Sequence, residues 1–219
     1  MNESAFNVVN ILKVLNKYKV IIGIGIGAAI GIGVGTSFLV TGMARKTETV
    51  WQSIWKINND LATAAQRGKE EKDRNAALAT AADAYKYLRE NASSSNATPW
   101  ILFQMGNIYY SLKNYDEAIR AYNDFLNKCG GHLLVPIVKQ SLGYAYEEKG
   151  LFQEAVRLFE EDASANAGLF AAQKGWDAGR CYEKLGQTND AIRSYTRAIE
   201  FSPNSNWATL SQYRLSAIR

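Results

Sequence analysis

The chain has 219 residues, with 25 Lys+Arg against 21 Asp+Glu, 47% hydrophobic and 11% aromatic residues, a composition that excludes a disordered protein. Its net charge of +4 is too small to mark a nucleic-acid binder. Two cysteines and a single histidine provide neither a disulfide framework nor a zinc-ligand spacing.

Residues 1–19 read as a short amphipathic segment. Val8, Ile11, Leu12, Leu15 and Tyr18 recur at helical spacing, with Asn7, Asn10, Lys13 and Lys17 opposite. Such a segment either lies on a membrane surface or continues straight into the next element. Residues 20–43 then carry no charge over 24 consecutive positions. As a helix they would extend about 36 Å, against roughly 30 Å of bilayer hydrocarbon. A cleaved signal peptide and a buried soluble helix are the competing readings. The length of the run and the segment ahead of it favour an uncleaved, single-pass transmembrane helix. Lys13, Lys17 and Lys19 precede the run, and Arg45, Lys46 and then Glu48 follow it. The positive-inside rule therefore places the amino terminus inside and everything after residue 43 outside the cytoplasm.

Within the run, Gly23, Gly27, Gly31 and Gly35 stand four apart, and Gly25, Ala29 and Gly33 form a second stripe. Serial GxxxG spacing predicts a closely approaching partner helix, from another copy or a different protein. The plainer reading is the ordinary glycine content of membrane helices.

Residues 44–98 read as a linker and a degenerate helix pair. Ala81, Tyr85 and Leu88 fit a second helix, 49–66 could supply its partner, and the charged stretch 67–74 is a solvated helix end or loop. A repeat then begins. Gly106, Gly143 and Gly179 are 37 and 36 residues apart, and each is followed three residues later by Tyr109, Tyr146 or Tyr182. Alanine follows at Ala118, Ala155 and Ala191, and an aromatic at Tyr122, Phe159 and Tyr195.

These columns resemble the tetratricopeptide repeat, with small–x–x–Tyr on a first helix and Ala–x3–aromatic on a second. The resemblance implies an all-α protein: antiparallel helix pairs stacked as an α-solenoid over 99–203, closed by a capping helix at 204–219. Glycine and alanine would let paired helices approach, and aromatics would fill the gaps between them. Turns fall at 113–116, 149–152 and 185–188. Asp116, Gln153 and Asn189 stand near second-helix starts, where an acceptor suits unpaired N–H groups, and Pro203 ends the third repeat. The period exceeds the usual value of about 34, so extra residues are expected around 128–134 and 162–169. Trp207, Leu210, Tyr213 and Leu215 would supply the apolar side of the cap.

In this family the concave face is lined from the first helices. The matching positions are Trp100, Phe103, Asn107 and Tyr110; Ile137, Gln140, Tyr144 and Glu147; and Gln173, Trp176, Arg180 and Glu183. Aromatics beside hydrogen-bonding groups suit recognition of a peptide or protein. The alternative is that Trp100, Phe103 and Trp176 pack between helices. Phe103 stands where a chaperone-tail clamp needs lysine, and only Asn107 of that clamp remains, which argues against such tails as ligands.

No catalytic constellation, cofactor site or metal site is expected. His132 is alone in a loop, Cys181 reads as a small core residue, and a Cys129–Cys181 disulfide is a minor alternative. The glycine-rich GIGIG run lies within the apolar stretch, where helical N–H groups cannot cradle phosphate. The short tail, one span and small repeat array also resemble the bacterial family of ancillary Sec-translocon subunits, which implies contacts with a translocon and periplasmic chaperones. An accessory subunit docked through its glycines and a cytosol-facing organellar import receptor are the other readings. Each makes the chain an interaction protein, not an enzyme.

Overall fold

The computed structural model describes residues 47–66, 70–92, 95–161 and 170–218, and every regular element among them is helical. The expected amphipathic segment, the transmembrane helix 20–43 and its glycine face Gly23, Gly27, Gly31 and Gly35 lie outside the described residues. No helix among the described residues is long and apolar enough to cross a membrane.

A helix over 47–66 (α1) opens the described chain. It is followed by α2 (Glu71–Asn91), α3 (Thr98–Ser111), α4 (Tyr115–Lys128), α5 (Val135–Glu148) and α6 (Phe152–Glu160). Then come α7 (Ala171–Lys184), α8 (Thr188–Phe201) and α9 (Asn206–Ile218). From α2 onward each helix packs on the next. Val50 and Ile54 of α1 share a core with Ala81, Ala82, Tyr85 and Leu88 of α2, so these two helices pair as well.

The turn inside each repeat has one stereochemistry. Residues Lys113, Gly150 and Gly186 all adopt positive φ, at 59°, 74° and 70°. After each, the next N–H reaches back across the helix end: Asn114 to the Tyr109 carbonyl, Leu151 to Tyr146 and Gln187 to Tyr182, all at 2.9 Å. This is the Schellman closure, which satisfies carbonyls left over at a helix end and needs a left-handed residue. Glycine fills that position twice, and Lys113 adopts it at a steric penalty.

Helix starts are set by other signals. Pro99 and Pro136 stand in the first turn of α3 and α5, where proline removes no helical hydrogen bond. Asn114 caps α4, its side chain accepting from the Glu117 N–H at 3.5 Å. The acceptors expected to cap were Asp116, Gln153 and Asn189, but each is already the second residue inside its helix. Asp116 instead pairs with Lys149 of the next repeat.

The glycine column explains how closely the paired helices meet. A Cβ on Gly106 would come within 2.2 Å of the Tyr122 ring, one on Gly143 within 2.5 Å of Phe159, and one on Gly179 within 2.4 Å of Tyr195. Each aromatic of the second helix therefore lies directly over the glycine of the first. Tyr122, Phe159 and Tyr195 are at most 1% exposed. Gly175, which the repeat alignment did not single out, lets α7 and α8 close further: a Cβ there would meet Ser194 and Ala198 at 3.0 Å.

Of the two stretches where extra residues were expected, 162–169 lies outside the described residues, and the other is the chain between α4 and α5, at 129–134. His132 has a structural place in it. Its Nδ1 accepts from the Leu134 N–H at 3.2 Å, and its ring meets Phe125 edge-on. Both cysteines are free, and burial pushes the Cys181 thiol up to about 12. Helix α9 packs through Ala208, Ser211 and Leu215. Leu210 and Tyr213 were expected on that apolar side, yet they are 41% and 70% exposed. The buried stripe follows 208, 211 and 215, and these two fall on the opposite face.

A candidate partner-binding face on the first helices

The first helices of successive hairpins approach one another directly, α3 against α5 and α7 against α9. That proximity puts them on the inner side of the stack, where side chains of neighbouring repeats meet.

Between α3 and α5 the inner side opens into a cleft of about 270 Å³, lined by Asn107, Tyr110, Ser111, Tyr122, Ser141 and Tyr144. Its floor is held by a bond between repeat columns. Tyr122 lies over Gly106, and its hydroxyl donates to Asn107 Oδ1 at 2.8 Å. The carboxamide is thereby oriented, with its NH2 group directed away from that bond. The same bond occurs one hairpin earlier, where the Tyr85 hydroxyl donates to Asn58 Oδ1 at 2.8 Å. Tyr110 forms one wall, its ring edge-on to Tyr115 with centroids 5.5 Å apart. Burial, then the Glu148 carboxylate, pushes the Tyr110 phenol up to about 12, so it is a neutral donor at physiological pH.

From α5 to α7 the face is cross-linked by polar groups. Tyr144 donates to Asp177 Oδ2 at 2.6 Å, and its oxygen accepts from Gln140 Nε2 at 3.1 Å and Gln173 Nε2 at 2.8 Å. Arg180 donates to both Glu147 oxygens, at 2.6 and 3.0 Å, and to Asp177 Oδ1 at 2.9 Å. Asp177 is 2% exposed. Burial, outweighing the Tyr144 and Arg180 hydrogen bonds, lifts its carboxyl above the ordinary value, and burial lifts Glu147 as well. Apart from the buried Arg180 Nε, which has no hydrogen-bond partner, these linked polar groups hold two repeats in one arrangement.

Between α7 and α9 a second tie forms. The Tyr195 hydroxyl donates to Glu183 Oε1 at 2.6 Å, and Arg214 of α9 donates to the same oxygen at 3.0 Å. Hydrogen bonding from Arg214 holds the Glu183 carboxyl below its ordinary range. Trp176 packs on Tyr195 with centroids 5.3 Å apart, and Arg180 sits over the indole at 6.0 Å.

The expected groove residues divide accordingly. Asn107, Tyr110 and Tyr144 come together at the cleft. Gln140 is 6% exposed and lies beneath the face, bonded to Tyr144. Glu147, Arg180 and Glu183 are engaged in the ties between repeats. Trp100, Phe103 and Trp176 are each half-buried and packed against the hydrophobic clusters. Asp177, Ser111, Ser141 and Tyr122 were not singled out for this face. A charge amid Ala172, Gly175, Ala178 and Gly179, with Arg180 three residues on, is the signal that marks Asp177. Among the described residues no three His, Cys, Asp or Glu side chains are grouped to hold a metal ion.

The Tetratricopeptide repeat family pattern matches residues 99–132 and again residues 176–205. A TPR repeat-containing protein of Treponema pallidum (strain Nichols) is 24% identical over 114 residues, which are 52% of this chain and 48% of that protein. The human intraflagellar transport protein 88 homolog is 26% identical over 128 residues, 57% of this chain and 15% of that protein. The matched regions thus span less than half the length of these relatives. Among solved structures, a tetratricopeptide repeat protein from Parabacteroides merdae superposes with a TM-score of 0.60 at 18% identity, covering 77% of this chain and 60% of that one. MamA (41-end) from Desulfovibrio magneticus RS-1 gives 0.53 at 15% identity, covering 76% and 93%. Two stretches of the chain thus match the tetratricopeptide repeat, and its helices stack in a solenoid of the same fold as these structures. Proteins built this way generally serve as scaffolds for protein–protein contacts.

Proposed function

We propose that this chain is a membrane-anchored adaptor that holds another polypeptide against the inner face of its repeats, with the α3–α5 cleft as the principal seat. The observation that carries the reading is the cleft itself. Aromatic walls at Tyr110 and Tyr144, an oriented Asn107 carboxamide and two serine hydroxyls surround open space. The Tyr122–Asn107 bond at its floor and the hydrogen bonds that hold Tyr144 against α7 keep that space preformed, which lowers the ordering penalty of binding. Such a lining suits an extended segment, whose amide groups find donors and acceptors while a side chain enters between the rings.

In this reading residues 20–43 are the single span and the repeats face outward from a bacterial inner membrane. The short charged tail and the resemblance to ancillary translocon subunits support that placement. A second reading has a specific feature in its favour: the four glycines in register could dock the span on a partner helix and make the chain an accessory subunit of a larger complex, or a homo-oligomer.

One experiment separates the two. Full-length protein is purified with its partners in mild detergent, alongside Tyr110→Ala, Ser111→Trp and Gly27→Leu/Gly31→Leu variants. The cleft reading expects Tyr110→Ala and Ser111→Trp to lose the partner at least about tenfold, the effect of removing or blocking one central anchor, with the thermal midpoint unchanged in Ser111→Trp, whose position is exposed. Loss confined to the glycine variant assigns the contact to the span. A cysteine at Gly131, where a side chain meets nothing within 4 Å, reports the sidedness: labelling from the cytoplasmic side alone would favour the import-receptor reading.

A further inference from the structure

Helix α1 buries one side and turns tryptophans outward on the other. Val50 and Ile54 are 7% and 3% exposed, with Ile57 and Leu61 packed beside them. Trp51 and Trp55, one turn apart, are 39% and 69% exposed. Toward the carboxy end the stripe continues through Asn59, Ala62 and Gln66, exposed and uncharged, and exposed Glu48 lies on it one turn before Trp51. Trp51 is partly fixed, its indole Nε1 donating to Asn96 Oδ1 at 3.2 Å. Trp51 stands seven residues before Asn58, as Trp100 stands seven before Asn107, so it continues the inner-face column onto α1, while Trp55 falls outside that column; neither ring lines the α3–α5 cleft. Two large indoles on one outward stripe are an unusual commitment of apolar surface in water.

Chain length decides which surface is in reach. Trp51 is eight residues beyond Met43, where the uncharged run ends. Since α1 begins at 47, Trp51 lies at most about 20 Å of chain from Met43, and about 12 Å if the whole link is helical. A bilayer entered by residues 20–43 is therefore within reach of this stripe whatever path the link takes. Indoles favour the headgroup layer, where the ring body is shielded and the N–H still finds polar partners.

We infer that the Trp51–Trp55 face of α1 rests in the headgroup layer of the bilayer, so that the first hairpin lies against the membrane it is tethered to. The inference rests on the reading of residues 20–43 as an anchor. It gives the array a second membrane contact, apart from the α3–α5 cleft. The interaction is apolar and interfacial, carried by the rings and not by charge, so it persists in high salt and with neutral lipid.

The tryptophan distribution makes a clean test. All five tryptophans stand at positions 51, 55, 100, 176 and 207, so none lies in the apolar run. Emission quenching by lipids brominated near the headgroup then reports only on the repeat domain. The full chain is reconstituted in phosphatidylcholine vesicles, floated, and compared with Trp51→Phe/Trp55→Phe and Trp55→Phe. The expected result is strong quenching of the wild type, loss of most of it in the double variant and an intermediate loss in the single one, with all three floating. Absence of quenching in floated wild type, or equal quenching in the double variant, overturns the inference and leaves the anchor standing. Protection of both indoles by a second copy, seen as Trp55-dependent dimers in unquenched vesicles, overturns it as well. Wild type that fails to float with lipid overturns the anchor and the inference together.

Discussion

Gly143→Ala is expected to destabilise the array by about 2 kcal/mol, lowering its unfolding midpoint by about 4–8 °C. Two effects oppose each other at this position. Alanine is the better helix former by about 1 kcal/mol, so the substitution would stabilise an open helix. Here the new methyl meets Phe159 at 2.5 Å, with three atoms of that ring within 3.1 Å. Phe159 is 1% exposed and has no room to withdraw, and overpacking of a tight core costs about 1–3 kcal/mol or somewhat more. The clash wins. Phe159→Leu removes the obstructing ring and costs about 1–2 kcal/mol alone. The double variant is expected to be more stable than the sum of the singles by at least about 1 kcal/mol, a coupling that only direct contact produces. Chemical denaturation of the four proteins measures it, with Gly131→Ala, where a Cβ meets nothing within 4 Å, as the neutral control. Additive losses would mean that the ring does not lie over the glycine.

Asp177→Ala is expected to cost about 2–3 kcal/mol, and Asp177→Asn much less. The alanine leaves the Tyr144 hydroxyl without its acceptor and Arg180 with Glu147 alone, and it orphans buried groups between α5 and α7. Removing one member of a fully buried pair costs about 3–5 kcal/mol; the Arg180 side chain is 35% exposed, so solvent recovers part of that. Asparagine keeps an acceptor for Tyr144. The raised carboxyl pKa of Asp177 fixes the sign of the pH effect. A carboxyl that binds its proton more readily in the fold than in the unfolded chain adds stability as pH falls from above its raised value toward 3.8. At neutral pH the negative charge itself therefore does not stabilise this site, and the hydrogen bonds do. Denaturation at pH 7 and pH 4 checks both points. An asparagine variant as unstable as the alanine one at pH 7 would show that charge dominates.

Repeat architecture was legible in the sequence because it rests on sterics that recur. Gly106, Gly143 and Gly179 align since a ring must lie over each, and Tyr122, Phe159 and Tyr195 align since they supply that ring. The turn residue seven positions after each glycine was less visible, because Lys113 fills a place that Gly150 and Gly186 fill elsewhere. Capping by Asp116, Gln153 and Asn189 was misplaced because the Schellman turn, not a side chain, sets where α6 and α8 begin. The inner face was only half readable. Column position named Asn107, Tyr110 and Tyr144, which lie around one cleft. Which polar groups of neighbouring repeats meet depends on the offset between successive hairpins, and no local pattern encodes it. Asp177 and Gln140 are products of that offset: both lie buried beneath the face, where they tie α5 to α7. Leu210 and Tyr213 show the reverse error, apolar residues assigned to a packed side that the register of α9 turns outward.

The central claim is that the inner face of the stack, at the α3–α5 cleft, is where another polypeptide is held. Site-specific photocrosslinking in intact cells tests it most directly. Tyr110 in the cleft and Glu154, exposed on α6, are replaced in turn by a photoreactive phenylalanine. Position 110 is predicted to yield a discrete covalent adduct with another protein, abolished by Ser111→Trp, while position 154 yields none. An adduct of the same size from both positions, or from 154 alone, would contradict the claim.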